Sequence, residues 1–350
     1  MKTLLLLASV GLLMALAGCL PARRPPSPGC ARIRTMGRWD QRDAPDRLVA
    51  VNPGSSFAFR YRGTSCVLHF DVSENKPPWP QLWVRLDGAW SQHTVDRSEV
   101  VVGEEAEEGV HEAWVVLKSA DEHQRRWAPP LVAALRLTGV RAPGGRLLPP
   151  PGPRKRVLEA VGDSITEGVL AHRRGKLSEW TEIADSRATY AFRTAVALDA
   201  EPRIIGFGAQ GITKGGNGGV PPAPLAYPYV YQGVPAQDRP ADIVVVNHGS
   251  NDRRAPSIEN GTGNLLKLIR QHNPGAAIFC MVPFAPVHRK SITAAVAHAR
   301  AAGDLRVYLV ETRGWLDPKT DTTDGAHPNV QGHAKAARKL VEVIRGVLDL

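Results

Sequence analysis

The chain has 350 residues, a formal net charge of +10 and an apolar fraction of 43%. This length suits two domains rather than one small domain, and the apolar fraction is sufficient for a large buried core. Lys and Arg residues are scattered, with no basic helix, zinc-finger spacing or RNA-binding signature, which argues against a nucleic-acid-binding protein.

The first residues have the features of an export signal. Lys2 precedes an apolar stretch at residues 4–16 that is too short to span a bilayer. The stretch ends in Leu-Ala-Gly-Cys19, which resembles the lipobox of bacterial lipoproteins. The resemblance implies a signal peptide at 1–18, acylation of Cys19 and a lipid-anchored cell-envelope protein, either periplasmic or on the outer surface. An ordinary signal peptide with a chance cysteine is the alternative.

Three other cysteines are present. Cys30 and Cys66 could form a disulfide, because an exported compartment permits it. Cys280 lies in an apolar run and is predicted to be a buried thiol. No Cys/His spacing indicates a metal site, and no metal or organic cofactor is expected.

Proline-rich segments divide the chain into a tether at 19–35, a front domain at 36–142, a linker at 143–154 and a second domain at 155–350. The front domain has short alternating segments separated by turn residues, which predicts an all-β sandwich of jelly-roll type. Its predicted strands are 47–51, 56–62, 65–72, 82–86, 110–118 and 131–140.

In the second domain, short apolar runs alternate with helical patterns. This alternation predicts a parallel sheet covered on both faces, a three-layer α/β/α fold in which ligands bind at the carboxyl ends of the strands. The predicted strands are 157–161, 203–207, 243–247, 276–282 and 305–310, and the predicted helices are 188–200, 258–272, 291–302 and 330–348.

Ser164 directly follows the first of these strands, in Gly-Asp163-Ser164. A serine at such a turn can attack a carbonyl once a base removes its proton. The alternative is structural, since Ser164 with Glu167 three residues later also matches a helix capping box.

Two further polar segments follow neighbouring strands. Asn251, in Gly-Ser-Asn-Asp, could donate its side-chain amide to an oxyanion, although these residue types also form turns. In the glycine-rich segment after residue 207, Gly211 is the favoured backbone donor and Gly208 is the alternative.

His327 lies just before the last predicted helix, three residues after Asp324. A histidine can act as a general base near neutral pH, and a nearby carboxylate can hold its ring in position. The chain has 11 His residues, so the pattern gains weight from its combination with the other segments.

The order of these four segments resembles the SGNH (GDSL) hydrolase superfamily over residues 155–350. The resemblance implies that Ser164 is the nucleophile, that His327 is the base and that Asp324 orients it. It also implies that the Ser164 N–H, the Gly211 N–H and the Asn251 amide form the oxyanion hole. Asp163 is expected to support the turn.

The front domain is similar to the N-terminal jelly roll of carbohydrate esterase family 2, notably in Gly37-Arg38-Trp39 and in the segments 53–65 and 111–118. In that family, such a domain precedes an SGNH domain that deacetylates plant polysaccharides. The glycine segment here reads Ala-Gln-Gly-Ile, where an aromatic residue is expected.

Aromatic residues elsewhere could contact sugar. Those in the proline-rich insertion 221–240 are Tyr227, Tyr229 and Tyr231, and a structural loop is an equal alternative. In the front domain Trp79, Trp83 and Trp90 could stack on sugars, but Trp83 is predicted to be core because Leu82 and Val84 flank it. The front domain is therefore expected to brace the second domain rather than bind glycan.

The resulting prediction is a carboxylic ester hydrolase that removes acetyl groups from O-acetylated polysaccharide. The first alternative is a broad-specificity lipase, thioesterase or arylesterase using the same residues. A non-catalytic carbohydrate-binding lipoprotein and an acetyltransferase are further alternatives, and the acyl-length dependence of hydrolysis discriminates among the hydrolases.

Overall fold

The computed structural model describes residues 32–42, 47–104, 106–252, 255 and 258–350. The predicted signal peptide, Cys19 and Cys30 lie outside this range. Among the described residues Cys66 and Cys280 form no disulfide, and both are buried, so a pairing of Cys66 with Cys30 stays a prediction. Within the described range, no helix combines the length and the apolar character that a membrane span requires.

The front domain consists of two antiparallel sheets that face each other across an apolar core. Its strands are β1 (Arg34–Met36), β2 (Leu48–Ala50), β3 (Ser56–Gly63), β4 (Cys66–Phe70), β5 (Gln81–Leu86), β6 (Ala89–Thr94), β7 (Glu99–Val102), β8 (Gly109–Ser119), β9 (Leu135–Arg141) and β10 (Arg146–Leu148). The first sheet has the order β1-β3-β8-β5-β6, with β10 also paired to β3, and the second has the order β2-β9-β4-β7. The predicted β-sandwich is confirmed.

Four of these strands were not predicted. The edge strand β6 has no buried residue, so its sequence lacks the apolar alternation that marks a half-buried strand. The second edge strand, β7, has only four residues. Strand β1 begins in the segment assigned to the tether, β10 lies in the segment assigned to the linker, and both pair with β3.

The second domain has a five-stranded parallel sheet between two layers of helices, as predicted. Its order is β12-β11-β15-β16-β17. The strands of this domain, including a small hairpin formed by β13 and β14, are β11 (Arg156–Gly162), β12 (Ala200–Gly206), β13 (Tyr229–Tyr231), β14 (Val234–Pro235), β15 (Ile243–Asn247), β16 (Ala277–Met281) and β17 (Val307–Val310). The helices are α1 (Ser164–Glu167), α2 (Trp180–Ile183), α3 (Tyr190–Ala197), α4 (Ala223–Ala226), α5 (Ile258–His272), α6 (Arg289–Ala301) and α7 (Val330–Leu348).

Alternate residues of each strand face opposite helix layers. Leu158 and Ala160 of β11 pack with residues of α3 and α7, whereas Val157 and Val161 belong to the cluster that includes α5 and α6. Because β11, the first strand of the parallel sheet, lies between β12 and β15, the strand order reverses beside it. Such a reversal opens a crevice at the carboxyl ends of the strands.

The two domains are joined by polar contacts that place front-domain side chains against the second domain. Lys118 at the end of β8 is 1% exposed, and its Nζ donates to the carbonyls of Thr181, Glu182 and Ala184 at 2.7–2.9 Å. Asn52 donates to the carbonyl of Gly206 at 3.0 Å. The front domain therefore contacts the loops around the sheet's carboxyl edge, and whether it also binds glycan stays open.

Candidate active site

Asp163 and Ser164 form the junction between strand β11 and helix α1. Asp163 is the helix N-cap, and its Oδ1 accepts the Ile165 N–H at 3.0 Å. The capping-box alternative for Ser164 is therefore wrong, because Ser164 is the first helical residue rather than the cap. Its hydroxyl is left free to interact with residues across the crevice.

The structure brings Ser164, His327 and Asp324 into one hydrogen-bonded chain. Ser164 Oγ lies 3.0 Å from His327 Nε2, and His327 Nδ1 lies 2.8 Å from Asp324 Oδ2. If Nδ1 carries the proton that Asp324 accepts, Nε2 can accept the Ser164 proton. This is the arrangement that activates a serine nucleophile.

The loop before α7 holds Asp324 in an ionised, ordered state. Asp324 Oδ1 accepts the His327 N–H at 2.7 Å and the Ala326 N–H at 3.0 Å. Burial acts to raise the pKa of Asp324, but these backbone bonds and the His327 ring outweigh it and lower the pKa below its usual range. Asn329 caps α7 by accepting the N–H groups of Gln331 and Gly332, which fixes the other end of the loop.

The predicted oxyanion donors come together at the crevice, but two of them already have acceptors. Asn251 Nδ2 donates to Asp163 Oδ2 and to the Gln210 carbonyl, both at 3.1 Å. The Gly211 N–H donates to the Lys214 carbonyl at 3.1 Å. Either group would have to share or exchange its hydrogen bond in order to bind an oxyanion.

The glycines of this segment are required by packing against carboxylates. A Cβ at Gly211 would lie 2.5 Å from Asp252 Oδ1, and a Cβ at Gly208 would lie 1.5 Å from Glu122 Oε2. Asp252, which the sequence analysis did not single out, accepts the N–H groups of Ile212 and Thr213 at 2.9 Å. Its position directly after Asn251 links the asparagine and glycine segments.

Three carboxyl groups are buried behind the serine. Burial is the largest influence on each of them, and it raises the pKa of Asp163 and of Glu167 to about 7 and that of Glu122 to about 8. Arg126 of the front domain lies 2.8 Å from Glu167 and offsets part of this effect. The support behind α1 is thus an ionic contact between the domains.

The predicted sugar-contacting tyrosines are mostly structural. Tyr227 is 1% exposed and its Oη donates to Glu159 at 2.6 Å, while Tyr231 is 8% exposed and donates to Asp40. Neither presents a ring face to a ligand, so the prediction was wrong for these two residues. Tyr229 is 37% exposed and contacts the edge of Trp127.

The placement of Trp83 in the core was also wrong. Leu82 and Val84 are fully buried within the sandwich, so the alternation of a strand directs Trp83 to the opposite, outer face of the sheet. Trp83 is half-buried there, and its Nε1 donates to Asp185 at 3.1 Å.

No group of three or more His, Cys, Asp or Glu residues in the described part of the chain is arranged to hold a metal.

Two proteins named as esterases are similar to this chain in sequence. "Cellulase/esterase CelE" of Acetivibrio thermocellus is 31% identical over an alignment of 223 residues, and the match covers 58% of this chain and 27% of that protein. The chain therefore spans about a quarter of CelE. The "Acetylxylan esterase / glucomannan deacetylase" of Cellvibrio japonicus is 26% identical over 345 residues, covering 91% of this chain and 89% of that protein.

A family two carbohydrate esterase from Clostridium thermocellum, solved with cellohexaose, has a similar structure. The TM-score is 0.75 at 25% identity, and the match covers 91% of this chain and 99% of that one. The model of the GDSL-like Lipase/Acylhydrolase family matches residues 160–335, which include the nucleophile segment and the Asp-x-x-His loop. The chain therefore belongs to the GDSL-like lipase/acylhydrolase family.

Proposed function

We propose that this protein is a serine esterase that hydrolyses acetyl esters of carbohydrates. The observation that carries the proposal is the hydrogen-bonded chain from Ser164 through His327 to Asp324. The names of both relatives, an esterase and an acetylxylan esterase that is also a glucomannan deacetylase, support this substrate class.

The proposed reaction is a two-step acyl transfer. His327 takes the proton of Ser164 as Oγ attacks the ester carbonyl, and Asp324 stabilises the imidazolium that forms. The alcohol leaves with the proton from His327. Water, deprotonated by the same histidine, then releases acetate and restores the serine.

Ser164 supplies the backbone donor that is best placed for the oxyanion. Its N–H begins α1 and has no hydrogen-bond acceptor within the described residues. Asn251 and Gly211 can also donate to the oxyanion if their present hydrogen bonds are exchanged for bonds to the substrate. Asn251 now donates to Asp163 and Gln210, and Gly211 donates to Lys214. Each such donor contributes about 3–4 kcal/mol of transition-state stabilisation.

The proposed natural substrate is an O-acetylated polysaccharide. The related family two esterase was solved with cellohexaose, and the Cellvibrio japonicus relative is named for xylan and glucomannan. The glycine segment lacks the aromatic residue that the resemblance implies near the glycine, and its Gln210 is buried and donates to the Pro221 carbonyl at 2.7 Å. The sugar contacts that the resemblance implies are therefore not carried over to this segment.

Initial rates on p-nitrophenyl acetate, butyrate and octanoate test the proposal. We expect the rate to fall steeply beyond acetate. The Ser164→Ala variant should lose at least about a thousandfold in kcat, whereas Ser91→Ala on the exposed strand β6 should not. A maximum at octanoate would favour a lipase, and full activity of Ser164→Ala would overturn the mechanism.

We further propose that acylated Cys19 holds the protein on a membrane. The lipobox-like sequence before Cys19 supports this proposal. After fractionation of cells that express the full chain, the protein should be found with membranes, and Cys19→Ser should move it to the soluble fraction. Cys280→Ala is the matched control, and equal release of both variants would contradict the proposal.

A further inference from the structure

A row of tryptophan and arginine side chains crosses the outer face of the first front-domain sheet. Arg85 on β5 is paired directly with Trp90 on β6 and with Trp114 on β8. Trp83 precedes Arg85 by two residues and therefore lies on the same face. Trp114 stacks on Phe192 of α3 at 5.6 Å between ring centroids, so the row lies beside the second domain.

The rings of these tryptophans contact arginine side chains as well as apolar residues. The Arg187 guanidinium lies 4.8 Å from the Trp83 ring centroid and 4.5 Å from that of Trp90. The Arg154 guanidinium lies 6.0 Å from the Trp114 ring. Such cation–π contacts fix the position of a guanidinium without neutralising its charge.

These positive charges are poorly compensated. Within the described part of the chain, Arg85, Arg187 and Arg193 form no salt bridge, and Arg154 pairs with Asp199, which is largely exposed. Burial and then the neighbouring Arg187 lower the pKa of Arg193, as expected for clustered cations.

Asp185 is the carboxylate in this groove, and its oxygens are already engaged. It accepts the Trp83 indole N–H at 3.1 Å and the Arg187 and Ala188 N–H groups at 2.9 and 3.2 Å. His172 lies 3.1 Å from its second oxygen. Arg193 Nε donates to the Ala188 carbonyl at 2.8 Å, whereas the buried Nε of Arg187 has no hydrogen-bond partner in the described structure. The Arg187 guanidinium is therefore available to an anionic ligand.

The space enclosed by these residues is large enough for sugar residues. The cavity has a volume of about 580 Å³, within the range of about 300–1,000 Å³ for ligand sites. A second cavity of about 350 Å³ shares Arg85, Trp114 and Arg154 with it and is also lined by Asp87 and Glu112. A carboxylate of the ligand is therefore placed in the first cavity, and the second suits the uncharged part of a sugar chain.

We propose that this groove binds a polysaccharide segment that carries uronic acid carboxylates, with a carboxylate at Arg187 and Arg193 and with Arg85, which lines both cavities, donating to the same sugar chain. The planar guanidinium group matches carboxylate geometry, and the neighbouring Val196 and Val330 supply apolar surface for a sugar ring. The lining includes none of Ser164, Asp324 and His327. The proposal therefore extends the proposed function without depending on hydrolysis.

Binding of polygalacturonate and of the same polymer after carboxyl reduction, measured by calorimetry on the full chain with Ser164→Ala, tests this inference. We expect the native polymer to bind and the reduced polymer not to bind. Arg187→Met and, independently, Arg85→Met should each weaken binding about tenfold or more. Arg289→Met, which removes an exposed arginine paired with Glu311, is the matched control.

Melting temperatures establish that the variants are folded, and Arg85→Met on an exposed position keeps the test decisive if Arg187→Met is unstable. Absence of binding, or equal binding of the reduced polymer, would overturn the proposal. Equal weakening by Arg289→Met would also overturn it, since this would indicate general attraction to a chain of net charge +10. Because binding is measured without the nucleophile, a failure of the esterase proposal would be seen separately.

Discussion

At the scale of single residues, Asp324 determines which nitrogen of His327 carries the proton. Its Oδ1 accepts two backbone N–H groups and its Oδ2 faces His327 Nδ1. An asparagine can keep the backbone bonds through its oxygen but then turns its NH₂ group toward Nδ1. This places the histidine proton on Nε2, where the base must be free.

We therefore expect Asp324→Asn to fold normally and to lower kcat on p-nitrophenyl acetate by about 10³–10⁴. The exposed Asp317, which caps a nearby turn by accepting the Lys319 N–H, provides the control Asp317→Asn. Steady-state kinetics and melting temperature check both variants. Near-normal kcat in Asp324→Asn would show that another group orients the histidine.

The proposed catalytic residues were accessible to sequence reasoning because each follows a strand or precedes a helix with a strong apolar pattern. Asp324 and His327 are also neighbours on one loop, so their contact needs no knowledge of the tertiary structure. The prediction for Trp83 was wrong because the burial of Leu82 and Val84 does not imply that the residue between them is buried. In a strand, two buried neighbours indicate that the residue between them faces outward.

At the scale of elements, helix α1 depends on a charge supplied by the other domain. Arg126 is 1% exposed and donates to Glu167 Oε2 at 2.8 Å and to the Val51 carbonyl at 3.0 Å. Glu167 is the last residue of α1, so this contact lies one turn from the serine. Removing the arginine leaves a buried carboxyl without its ion-pair partner.

We expect Arg126→Met to reduce the free energy of unfolding by about 3–5 kcal/mol in urea denaturation. Adding Glu167→Gln should restore part of the loss, because the unpaired charge is removed. The adjacent Arg125 is exposed, so Arg125→Met should have an effect within about 0.5 kcal/mol. Equal effects of the two arginine variants would contradict a specific role for the ion pair.

Elements with a strong apolar pattern were predicted and those without it were not. Helices α5 and α7 match the predicted 258–272 and 330–348, because their buried faces repeat at helical spacing. The predicted helix at 188–200 is shorter, since Thr189 caps α3 and Ala200 begins β12. Apolar residues alone did not mark either boundary.

At the scale of the whole molecule, the interface between the domains contains a carboxyl group that favours its protonated form. Glu122 is 5% exposed, its Oε2 has no hydrogen-bond partner in the described structure, and burial raises its pKa to about 8. A carboxyl with a raised pKa stabilises the fold at acidic pH. That stability is lost as the pH rises from 4.5, the ordinary pKa of a glutamate, toward 8, the raised pKa in the folded protein.

We expect Glu122→Gln to become progressively more stable than the natural protein between pH 5 and pH 9, by at most about 4 kcal/mol. Melting temperatures across this range provide the measurement. Glu112→Gln on the exposed side of β8 is the control and should not change the slope. A constant difference between Glu122→Gln and the natural protein at all pH values would contradict the proposed protonation.

How the two domains contact each other could not be predicted from the sequence. The patterns that revealed a sandwich and a parallel sheet depend on neighbouring residues. Lys118, by contrast, donates to carbonyls more than 60 residues away, and nothing in its local sequence indicates this. Buried polar contacts of this kind depend on the final packing of both domains.

The position of strand β12 has a consequence for the second domain on its own. This strand lies at the sheet edge, yet all seven of its residues are buried, and front-domain residues such as Asn52 and Gly54 contact it. Without the sandwich, its free peptide groups would offer a template to which strands of other molecules could add. By covering this edge strand, the front domain prevents such pairing between molecules. Proteolytic removal of the front domain should therefore produce aggregates rather than a smaller soluble enzyme.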